Sequence, residues 1–456
     1  MSRGRDRAAT PSWSGPAHGG LRARLAIPGA VGLILVLAPA TASLAAEGDY
    51  AHAQSARVLF GLAVLMVLAK AGGLLAERWG QPSVLGELIV GVGLGNLLPH
   101  LFGRTGLDFV RSDPTLSTLA ELGVLVLLFD VGLESDLASF ARVGPSAALV
   151  AVIGVIAPLP LGWAAAAWLL PGTPTISHVF IGATLTATSV GITIRVLKDL
   201  GATRSQEGQI IIGAAVLDDV LGLIVLAVVS GMAVAGVGGL SALAIGGILL
   251  KAVLFLGITI AAGYYLSDPL VRVVSRAGQP RLLLVVGLAL CFILAFVAEL
   301  VGLAGIIGAF AAGLALDPYA SGRRTEAQAA TLSELLAPLS EVFVPLFFVL
   351  MGVQVHLGSL ADLSVLAFGT ALIACAIAGK LVSAFGVVQP RVNAVAVAIG
   401  MIPRGEVGLI FAGIGAGLTV AGQPVLSQGA YSAIVLMVLV TTILTPIALR
   451  WAFRER

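Results

Sequence analysis

The feature that most constrains this fold is a series of apolar segments, each about as long as a membrane-spanning helix. Only 11% of the 456 residues are charged and 58% are hydrophobic, whereas a soluble chain carries about 25% charged residues. A helix needs about 20 apolar residues to cross a bilayer. The sequence therefore predicts an all-α polytopic membrane protein with about thirteen crossings. The predicted segments are 57–76, 83–98, 116–133, 146–170, 177–197, 209–232, 240–265, 282–301, 303–316, 338–355, 364–387, 393–418 and 429–449.

The distribution of positive charge predicts the orientation of these segments. Cytoplasmic loops usually carry an excess of Lys and Arg. The loops after Leu170, Met232, His356 and Leu418 contain neither residue. We therefore expect these loops on the outer side of a cell (inner) membrane, the mature N-terminus outside and the C-terminus in the cytoplasm. The formal net charge of +2 gives no indication of a nucleic-acid partner.

Residues 1–46 have the pattern of a targeting segment, with arginines before an apolar run and small residues after it. This pattern predicts a signal peptide, and an uncleaved extra N-terminal helix is the alternative. No long polar stretch interrupts the apolar series that follows. We therefore expect 47–456 to form a single membrane domain.

Two adjacent carboxylates, Asp218 and Asp219, lie near the middle of the segment 209–232. A carboxylate at that depth costs several kcal/mol unless it is paired, protonated or hydrated. Neighbouring residues on a helix point about 100° apart, so one carboxylate can face a cationic partner while the other faces a water-filled path. The proximity of two like charges favours protonation of one of them. The pair predicts a site for a monovalent cation or a proton, and a structural ion pair is the alternative.

Two other segments carry residues that interrupt helices at mid-depth. Thr188 and Ser189 end a run of hydroxyl residues within 183–193, and Pro403 lies within 400–408. Such hydroxyls compete for backbone carbonyls and proline removes a donor. Unwound backbone is tolerated in a bilayer only where protein or a water-filled cavity covers it. The segments therefore predict two broken helices near the midplane, with the Thr188 and Ser189 hydroxyls as ion ligands; ordinary bonding of the hydroxyls to the preceding turn is the alternative.

A faint internal repeat relates the two interrupted segments. Residues 132–137 resemble 352–357, an offset of about 220 residues, and the predicted topology places the two copies at opposite faces of the membrane. Inverted repeats of this kind, with broken helices at matching positions, mark the binding site of many secondary transporters. We therefore predict an inverted-repeat fold in which the two broken helices cross.

Further charged residues lie in the predicted spans. Lys380 is expected to pair with a carboxylate of Asp218-Asp219, or to extend to the membrane surface. A buried ammonium loses its proton readily unless it is paired, so a cation that displaced Lys380 would release a proton. Arg404 and Glu406 are expected to compensate the partial charges of the half-helix ends, or to form a structural ion pair. Lys251, in 240–265, has no predicted role.

Together these residues resemble the monovalent cation:proton antiporter-2 family, in particular its NapA-like and Kef-like bacterial members. The resemblance covers about 57–450. It rests on the motif at 81–87 (QPSVLGE), Thr188-Ser189, Asp218-Asp219, the motif at 347–349 (FFV), Lys380 and the motif at 403–408 (PRGEVG).

The resemblance implies a homodimer in which each protomer combines a dimerisation scaffold with a mobile ion-transporting core. By analogy, the core comprises about 146–232 and 364–449. The scaffold comprises about 57–133 and 282–355, and the helix at 240–265 links the two parts.

The resemblance also implies an activity. A double acid with a matching lysine resembles the electrogenic type of antiporter, in which Asp218 and Asp219 carry ion and proton and Lys380 pairs with Asp218. We therefore expect exchange of Na⁺, with Li⁺ or K⁺ possible, for H⁺ by elevator-type alternating access, without a cofactor.

There are three alternatives to this activity. One is a K⁺/H⁺ efflux antiporter of the Kef-like type, although such a member usually adds a cytosolic nucleotide-binding domain. A gated cation channel needs a continuous filter, and no filter loop is visible. An intramembrane aspartyl protease needs carboxylates that face each other from different helices, which adjacent residues on one helix cannot provide.

Overall fold

The apolar segments fold into helices throughout the described part of the chain. The computed structural model describes residues 50–102, 109–134, 144–235, 242–276, 280–316, 326–420 and 422–454. The targeting segment or extra helix predicted at 1–46 lies outside these residues. The only described strands form a two-stranded antiparallel hairpin, in which Thr419 lies opposite Pro424. The predicted all-α class is confirmed.

The elements are numbered in chain order. The helices are α1 (Tyr50–Arg78), α2 (Ser83–Phe102), α3 (Phe109–Ser112), α4 (Pro114–Glu134), α5 (Pro145–Ile156), α6 (Pro158–Leu169), α7 (Thr175–Thr184), α8 (Val190–Asp199), α9 (Gln206–Ala235), α10 (Ala242–Arg276), α11 (Pro280–Leu300), α12 (Gly305–Ala315), α13 (Glu326–Val353), α14 (Leu357–Leu360), α15 (Leu363–Leu381), α16 (Ala394–Gly400), α17 (Glu406–Gly417) and α18 (Gln428–Arg454); a 3₁₀-helix covers Val382–Gly386, and the strands are β1 (Thr419–Val420) and β2 (Gln423–Pro424).

Within the described ranges, nine helical spans are long and apolar enough to cross a membrane. Four shorter apolar helices accompany them, at Ser83–Leu97, Thr175–Thr184, Gly305–Ala315 and Glu406–Gly417. The chain is therefore a multi-pass membrane protein, as predicted. The number of thirteen crossings stays a prediction.

Several predicted segments differ from the observed helices; α10, for example, ends at Arg276 rather than at 265. The segment predicted at 146–170 forms two helices, α5 and α6, that meet at Ala157, because Pro158 cannot donate a backbone hydrogen bond to the preceding turn. Helix α13 begins well before 338 and continues through Pro338 and Pro345. Helix α15 ends at Leu381 and tightens into the 3₁₀-helix.

Side-chain caps fix the start of two helices that border the site. Asp362 Oδ1 accepts a hydrogen bond of 2.9 Å from the backbone N–H of Ser364 at the start of α15, and hydrogen bonds from this residue lower the pKa of the Asp362 carboxyl. Asn393 Oδ1 accepts one of 3.0 Å from the backbone N–H of Ala396 in α16. Each cap satisfies a backbone donor that the first helical turn leaves unpaired.

The helices pack in two bundles. The first bundle contains α1, α2, α4, α11, α12 and α13, and the second contains α5 to α9 and α15 to α18. Helix α10 contacts α9 of the second bundle and α12 of the first. Small residues allow close packing in the first bundle; a Cβ at Gly91 of α2 would collide with the carbonyl of Val349 in α13. The assignment of these bundles to a dimerisation scaffold and a mobile core stays a proposal.

Candidate ion-binding site at two crossed broken helices

Two helices of the second bundle are interrupted at corresponding positions. Helix α7 ends at Thr184 and α8 begins at Val190, while α16 ends at Gly400 and α17 begins at Glu406. The two breaks therefore cover 185–189 and 401–405. Both breaks lie at interruptions that were predicted, one from the hydroxyl residues within 183–193 and the other from the Pro403 motif.

The two breaks contact each other directly. The backbone N–H of Ser189 donates a hydrogen bond of 2.8 Å to the carbonyl of Pro403. The Thr188 hydroxyl donates to the carbonyl of Met401 (3.2 Å), and the Thr193 hydroxyl donates to the carbonyl of Gly400 (2.7 Å). Carbonyls at the end of α16 have no partner within their own helix. Hydroxyls from the first break and from α8 supply the missing donors.

Arg404 joins the second break to the first and to α15. Its side chain is fully buried. Nη1 donates to the carbonyls of Ala187 (2.6 Å) and Thr186 (3.3 Å), and Nη2 donates to the carbonyl of Ala376 (3.3 Å). The C-terminal end of a helix carries a partial negative charge. The guanidinium therefore lies against the end of α7, where a positive charge is favourable.

Glu406 lies at the N-terminal end of a helix, whereas Arg404 lies against a C-terminal end. Glu406 occupies the first turn of α17, where the partial charge of the helix is positive. Its Oε2 accepts a hydrogen bond of 2.8 Å from the hydroxyl of Ser189, the residue that immediately precedes α8. The carboxylate is thus placed near the N-terminal ends of both α8 and α17.

Gly405 allows the two breaks to approach each other, and its replacement gives a testable prediction. A Cβ at Gly405 would lie 2.5 Å from Ser189 Oγ and 2.6 Å from Ser189 Cβ. We expect Gly405→Ala to separate the breaks, to lower stability by about 1–3 kcal/mol as overpacking does, and to reduce transport. Thermal unfolding in detergent and vesicle transport measure the two effects. Gly417→Ala is the control, because nothing lies within 4 Å of its added Cβ; equal behaviour of the two variants would contradict the prediction.

Lys380 and Asp218 form a buried ion pair beside the crossing. Lys380 Nζ lies 3.0 Å from Asp218 Oδ1, and both side chains are 0% exposed. Lys380 is in the last turn of α15 but does not extend to the membrane surface. Asp218 Oδ2 has no hydrogen-bond partner within the described ranges. A Cβ at Gly154 of α5 would lie 3.2 Å from Lys380 Nζ, so the absence of a side chain there leaves room for the ammonium.

Asp219 has a different environment from its neighbour. It is partly exposed rather than buried, and it has no hydrogen-bond partner in the part of the chain that the structure describes. It lies within electrostatic range of Asp218, Glu406 and Lys380. The two carboxylates of α9 therefore divide as their 100° separation requires: Asp218 faces the Lys380 ammonium, and Asp219 lies outside this ion pair.

A cavity of about 770 Å³ lies between the two bundles. It follows α17 from Leu418 to Ile410 on one side, and Phe347 and Met351 of α13 line the other side. Carboxylates of Glu121 and Glu299 are among its polar groups. Ile410 is one helical turn, or about 6 Å, from Glu406 along the axis of α17. The cavity therefore lies on the side of the β1–β2 hairpin and ends about one helical turn from the crossing.

Comparison with known proteins shows the family to which this chain belongs. A family model described as sodium/hydrogen exchanger, transmembrane, matches residues 62–455. The chain belongs to this family. This membership confirms the predicted resemblance to monovalent cation:proton antiporters.

Relatives of this exchanger match over most of its length. NhaS3 of Synechocystis, a high-affinity Na⁺/H⁺ antiporter, is 39% identical over 439 residues, which cover 89% of this chain and 92% of that protein. GerN of Bacillus cereus, a Na⁺/H⁺-K⁺ antiporter, is 32% identical over 401 residues, which cover 86% and 96%. The sodium proton antiporter MjNhaP1 of Methanocaldococcus jannaschii at pH 8 shares the fold, with a TM-score of 0.67, 17% identity and coverage of 87% of this exchanger and 99% of that chain.

The exchanger brings the predicted site residues together around the crossing of its broken helices. Thr188, Ser189, Arg404 and Glu406 contact the breaks directly. Lys380 contacts Asp218, and Asp219 lies within electrostatic range of Glu406. Lys251 is not part of this group; it is exposed on α10.

Sequence reasoning missed two threonines of α18. The Thr442 hydroxyl donates to the carbonyl of Arg404 (2.6 Å), and the Thr441 hydroxyl accepts from the Arg404 backbone N–H (3.3 Å). Both threonines are buried. The signal was available, because hydroxyls in the middle of an apolar span commonly bond to exposed carbonyls.

Proposed function

We propose that this exchanger performs secondary active exchange of a monovalent cation for H⁺ at Asp218 and Asp219. One observation carries the proposal: a fully buried Lys380–Asp218 ion pair of 3.0 Å adjoins a partly exposed Asp219 where two broken helices cross. Buried ionisable groups at such crossings mark ion pathways in transporters. The family membership supports cation/proton exchange in general, and the residue roles are part of the proposal.

The proposed cycle exchanges two protons for one cation. In the proton-loaded state, Asp219 is protonated and the Lys380 ammonium pairs with the Asp218 carboxylate. Entry of the cation displaces the Asp219 proton and breaks the ion pair, after which Lys380 loses a proton because an unpaired ammonium is unfavourable in a buried site. Two protons leave and one cation enters. The net transfer of one charge makes the exchange electrogenic.

The remaining site residues would stabilise the crossing and complete the cation site. Small monovalent cations prefer hard oxygen ligands, which the two carboxylates and the Thr188 and Ser189 hydroxyl oxygens can supply. Arg404 and Glu406 lie at helix ends where their charges are favourable. We therefore propose that these two residues compensate the partial charges of the half-helices.

Alternating access would follow from motion of the second bundle, the core, against the first bundle, the scaffold. The cavity along α17 separates the two bundles, and α10 contacts both. We propose that the core moves by an elevator-type mechanism and that two protomers form a homodimer through their scaffolds. We also propose that the protein lies in the cell (inner) membrane with its C-terminus in the cytoplasm. Loops without Lys or Arg on the opposite side support this orientation.

The relatives bear on the choice of cation. NhaS3 is described as a high-affinity Na⁺/H⁺ antiporter, and GerN as a Na⁺/H⁺-K⁺ antiporter. We propose Na⁺ as the favoured cation, with K⁺ exchange as the second candidate function. The two carboxylates are adjacent on α9 and diverge, which gives no support to the protease alternative.

The decisive experiment measures proton movement in everted membrane vesicles after NaCl and then KCl are added. We expect wild-type protein to dequench a ΔpH-sensitive dye with NaCl more strongly than with KCl, and Asp218→Asn/Asp219→Asn to give no response. A preference for KCl would favour the second candidate function. The absence of a wild-type response to Na⁺, Li⁺ or K⁺ at every pH would overturn the proposed exchange.

A further inference from the structure

Two hydroxyls of α18 hold the backbone of Arg404 at the second break. Helix α16 ends before Arg404 and α17 begins after it, so neither its N–H nor its carbonyl belongs to a helix. The carbonyl accepts a hydrogen bond of 2.6 Å from the Thr442 hydroxyl, and the N–H donates one of 3.3 Å to Thr441 Oγ. All three residues are buried, and a buried carbonyl without a partner is costly. The position of the Arg404 backbone therefore depends on α18.

The threonines in this part of α18 use their hydroxyls in different ways. Thr445 donates to the carbonyl of Thr441 (2.7 Å), four residues earlier in the same helix, as threonines in helices commonly do. Thr441 donates to the carbonyl of Met437 (2.9 Å), which leaves its oxygen to accept from Arg404. A hydroxyl has one proton to donate, and Thr442 donates it to Arg404. Thr441 and Thr442 thus bond to the break, whereas the described bond of Thr445 lies within its own helix.

Arg404 lies between two residues that contact Ser189, a proposed ion ligand. The carbonyl of Pro403, which precedes it, accepts a hydrogen bond of 2.8 Å from the backbone N–H of Ser189. The carboxylate of Glu406, which follows it, accepts one of 2.8 Å from the Ser189 hydroxyl. The Arg404 guanidinium contacts the carbonyl of Ala187 in the same break. A displacement of the Arg404 backbone would therefore alter all of these contacts between the two breaks.

Helix α18 packs against each half of the two broken helices. It contacts α7 and α8, which flank the first break, and α16 and α17, which flank the second. It also contacts α15, which carries Lys380. Thr442 lies near the middle of α18, where the side chains of a neighbouring helix can satisfy backbone that a break within the membrane leaves unpaired. The bond to Arg404 is therefore made at the crossing itself rather than at an end of α18.

We infer that Thr442, assisted by Thr441, is a positioning residue for cation binding. Its hydroxyl holds the Arg404 backbone so that Pro403 and Glu406 keep Ser189 in the geometry in which the cation binds. Thr442 does not contact the cation, because it acts through the second break. The inference rests on the proposed function, in which Ser189 is an ion ligand. It adds to the site a helix that supplies neither a charge nor an ion ligand.

The cation dependence of transport by Thr442→Val tests this role. Valine keeps the shape of threonine but has no hydroxyl, while Asp218, Asp219 and Lys380 remain to carry the ion and the protons. We therefore expect the apparent KM for Na⁺ to rise about tenfold, with a maximal rate within about twofold of the wild type, as when ground-state binding is lost. Dye dequenching in everted vesicles over a series of NaCl concentrations, or of KCl if the wild type prefers it, measures both quantities.

Three further variants separate positioning from stability. Thr442→Ser keeps the hydroxyl and is expected to retain the wild-type KM. Thr445→Val is the matched control with a wild-type KM, because the buried hydroxyl that it loses bonds to Thr441 rather than to the break. Thr441→Val removes the longer bond and should raise the KM about two- to threefold; it becomes the test if Thr442→Val does not fold. An equal rise in Thr442→Val and Thr445→Val, or no rise in either Thr442→Val or Thr441→Val, would overturn the inference.

Hydrogen–deuterium exchange of the full-length protein in detergent tests the same contact without transport. In peptides covering 400–410, we expect faster deuterium uptake in Thr442→Val than in the wild type or Thr445→Val, because loss of the bond makes local opening easier. This result without cation-driven proton movement by the wild type would contradict the proposed function, and Thr442 would then only hold the break. Normal transport by the wild type, with an unchanged KM and unchanged uptake in Thr442→Val, would overturn the inference and leave the proposed function intact.

Discussion

Asp219→Asn is expected to abolish cation-driven proton movement while the protein still folds and inserts. Asn keeps the size of the side chain but can neither carry a proton nor neutralise a bound cation. The loss of a carboxylate ligand from an occupied cation site costs about 3 kcal/mol or more, which corresponds to a rate at least about 100-fold lower at subsaturating cation. Because Asp219 is partly exposed and lacks a described hydrogen-bond partner, little stability should be lost. Dye dequenching in vesicles with equal amounts of protein measures the effect.

Asp130→Asn provides the matched control for this substitution. Asp130 is also an intramembrane carboxylate, but it lies in α4 of the scaffold and accepts a hydrogen bond of 3.1 Å from the Ser333 hydroxyl. An amide oxygen can accept the same hydrogen bond, so exchange should remain near the wild-type rate. Near-normal exchange in Asp219→Asn would remove Asp219 from the proposed site. A similar loss in both variants would indicate a general effect of altered charge.

The grouping of Asp218, Lys380 and the two breaks could be predicted from the sequence because the bilayer leaves charged groups few solutions. Carboxylates at mid-depth need a cation or water, and Lys380 was an available cation in another span. Likewise, Pro403 removes a backbone donor, and the hydroxyls around Thr188 compete for backbone carbonyls. These local constraints also place the two breaks, at 185–189 and 401–405, close to where they were expected.

The partners of Arg404 could not be predicted in the same way. Its guanidinium contacts the backbone carbonyls of Thr186, Ala187 and Ala376, and any residue type can supply a carbonyl. The sequence therefore indicated a compensating charge but not which helix end it compensates. The same limit applies to the Arg404 carbonyl, whose partner Thr442 lies in a helix that is distant in the sequence. Only the packing of α18 against the second break brings these groups together.

The sequence predicts that the two carboxylates have different surroundings, and the structure shows which surroundings each one has. The 100° angle between adjacent helical residues requires different surroundings, yet it does not say which surroundings each receives. The approach of α15 to α9 places Lys380 against Asp218. Within the described ranges, the ion pair therefore leaves Asp219 as the carboxylate of α9 without a cationic side chain bonded to it.

Lys380→Met is expected to destabilise the protein strongly, because it leaves the Asp218 carboxylate buried without its cation. Removing one partner of a fully buried ion pair costs about 3–5 kcal/mol, so the apparent melting temperature in detergent should fall clearly at pH 8. Lys70→Met is the control: Lys70 pairs with Glu341 at 3.3 Å, but the two side chains are 59% and 70% exposed, and exposed pairs contribute less than about 1 kcal/mol.

A double substitution separates the structural and transport roles of the ion pair. In Asp218→Asn/Lys380→Met both charges are absent, so no unpaired charge is buried and most of the stability should return. Exchange should not return, because the cation has lost one carboxylate ligand and the lysine can no longer release a proton. Recovery of stability without recovery of exchange would show that the Asp218–Lys380 pair is needed for transport as well as for stability. Equal melting temperatures of wild type and Lys380→Met at pH 8 would contradict the buried pair itself.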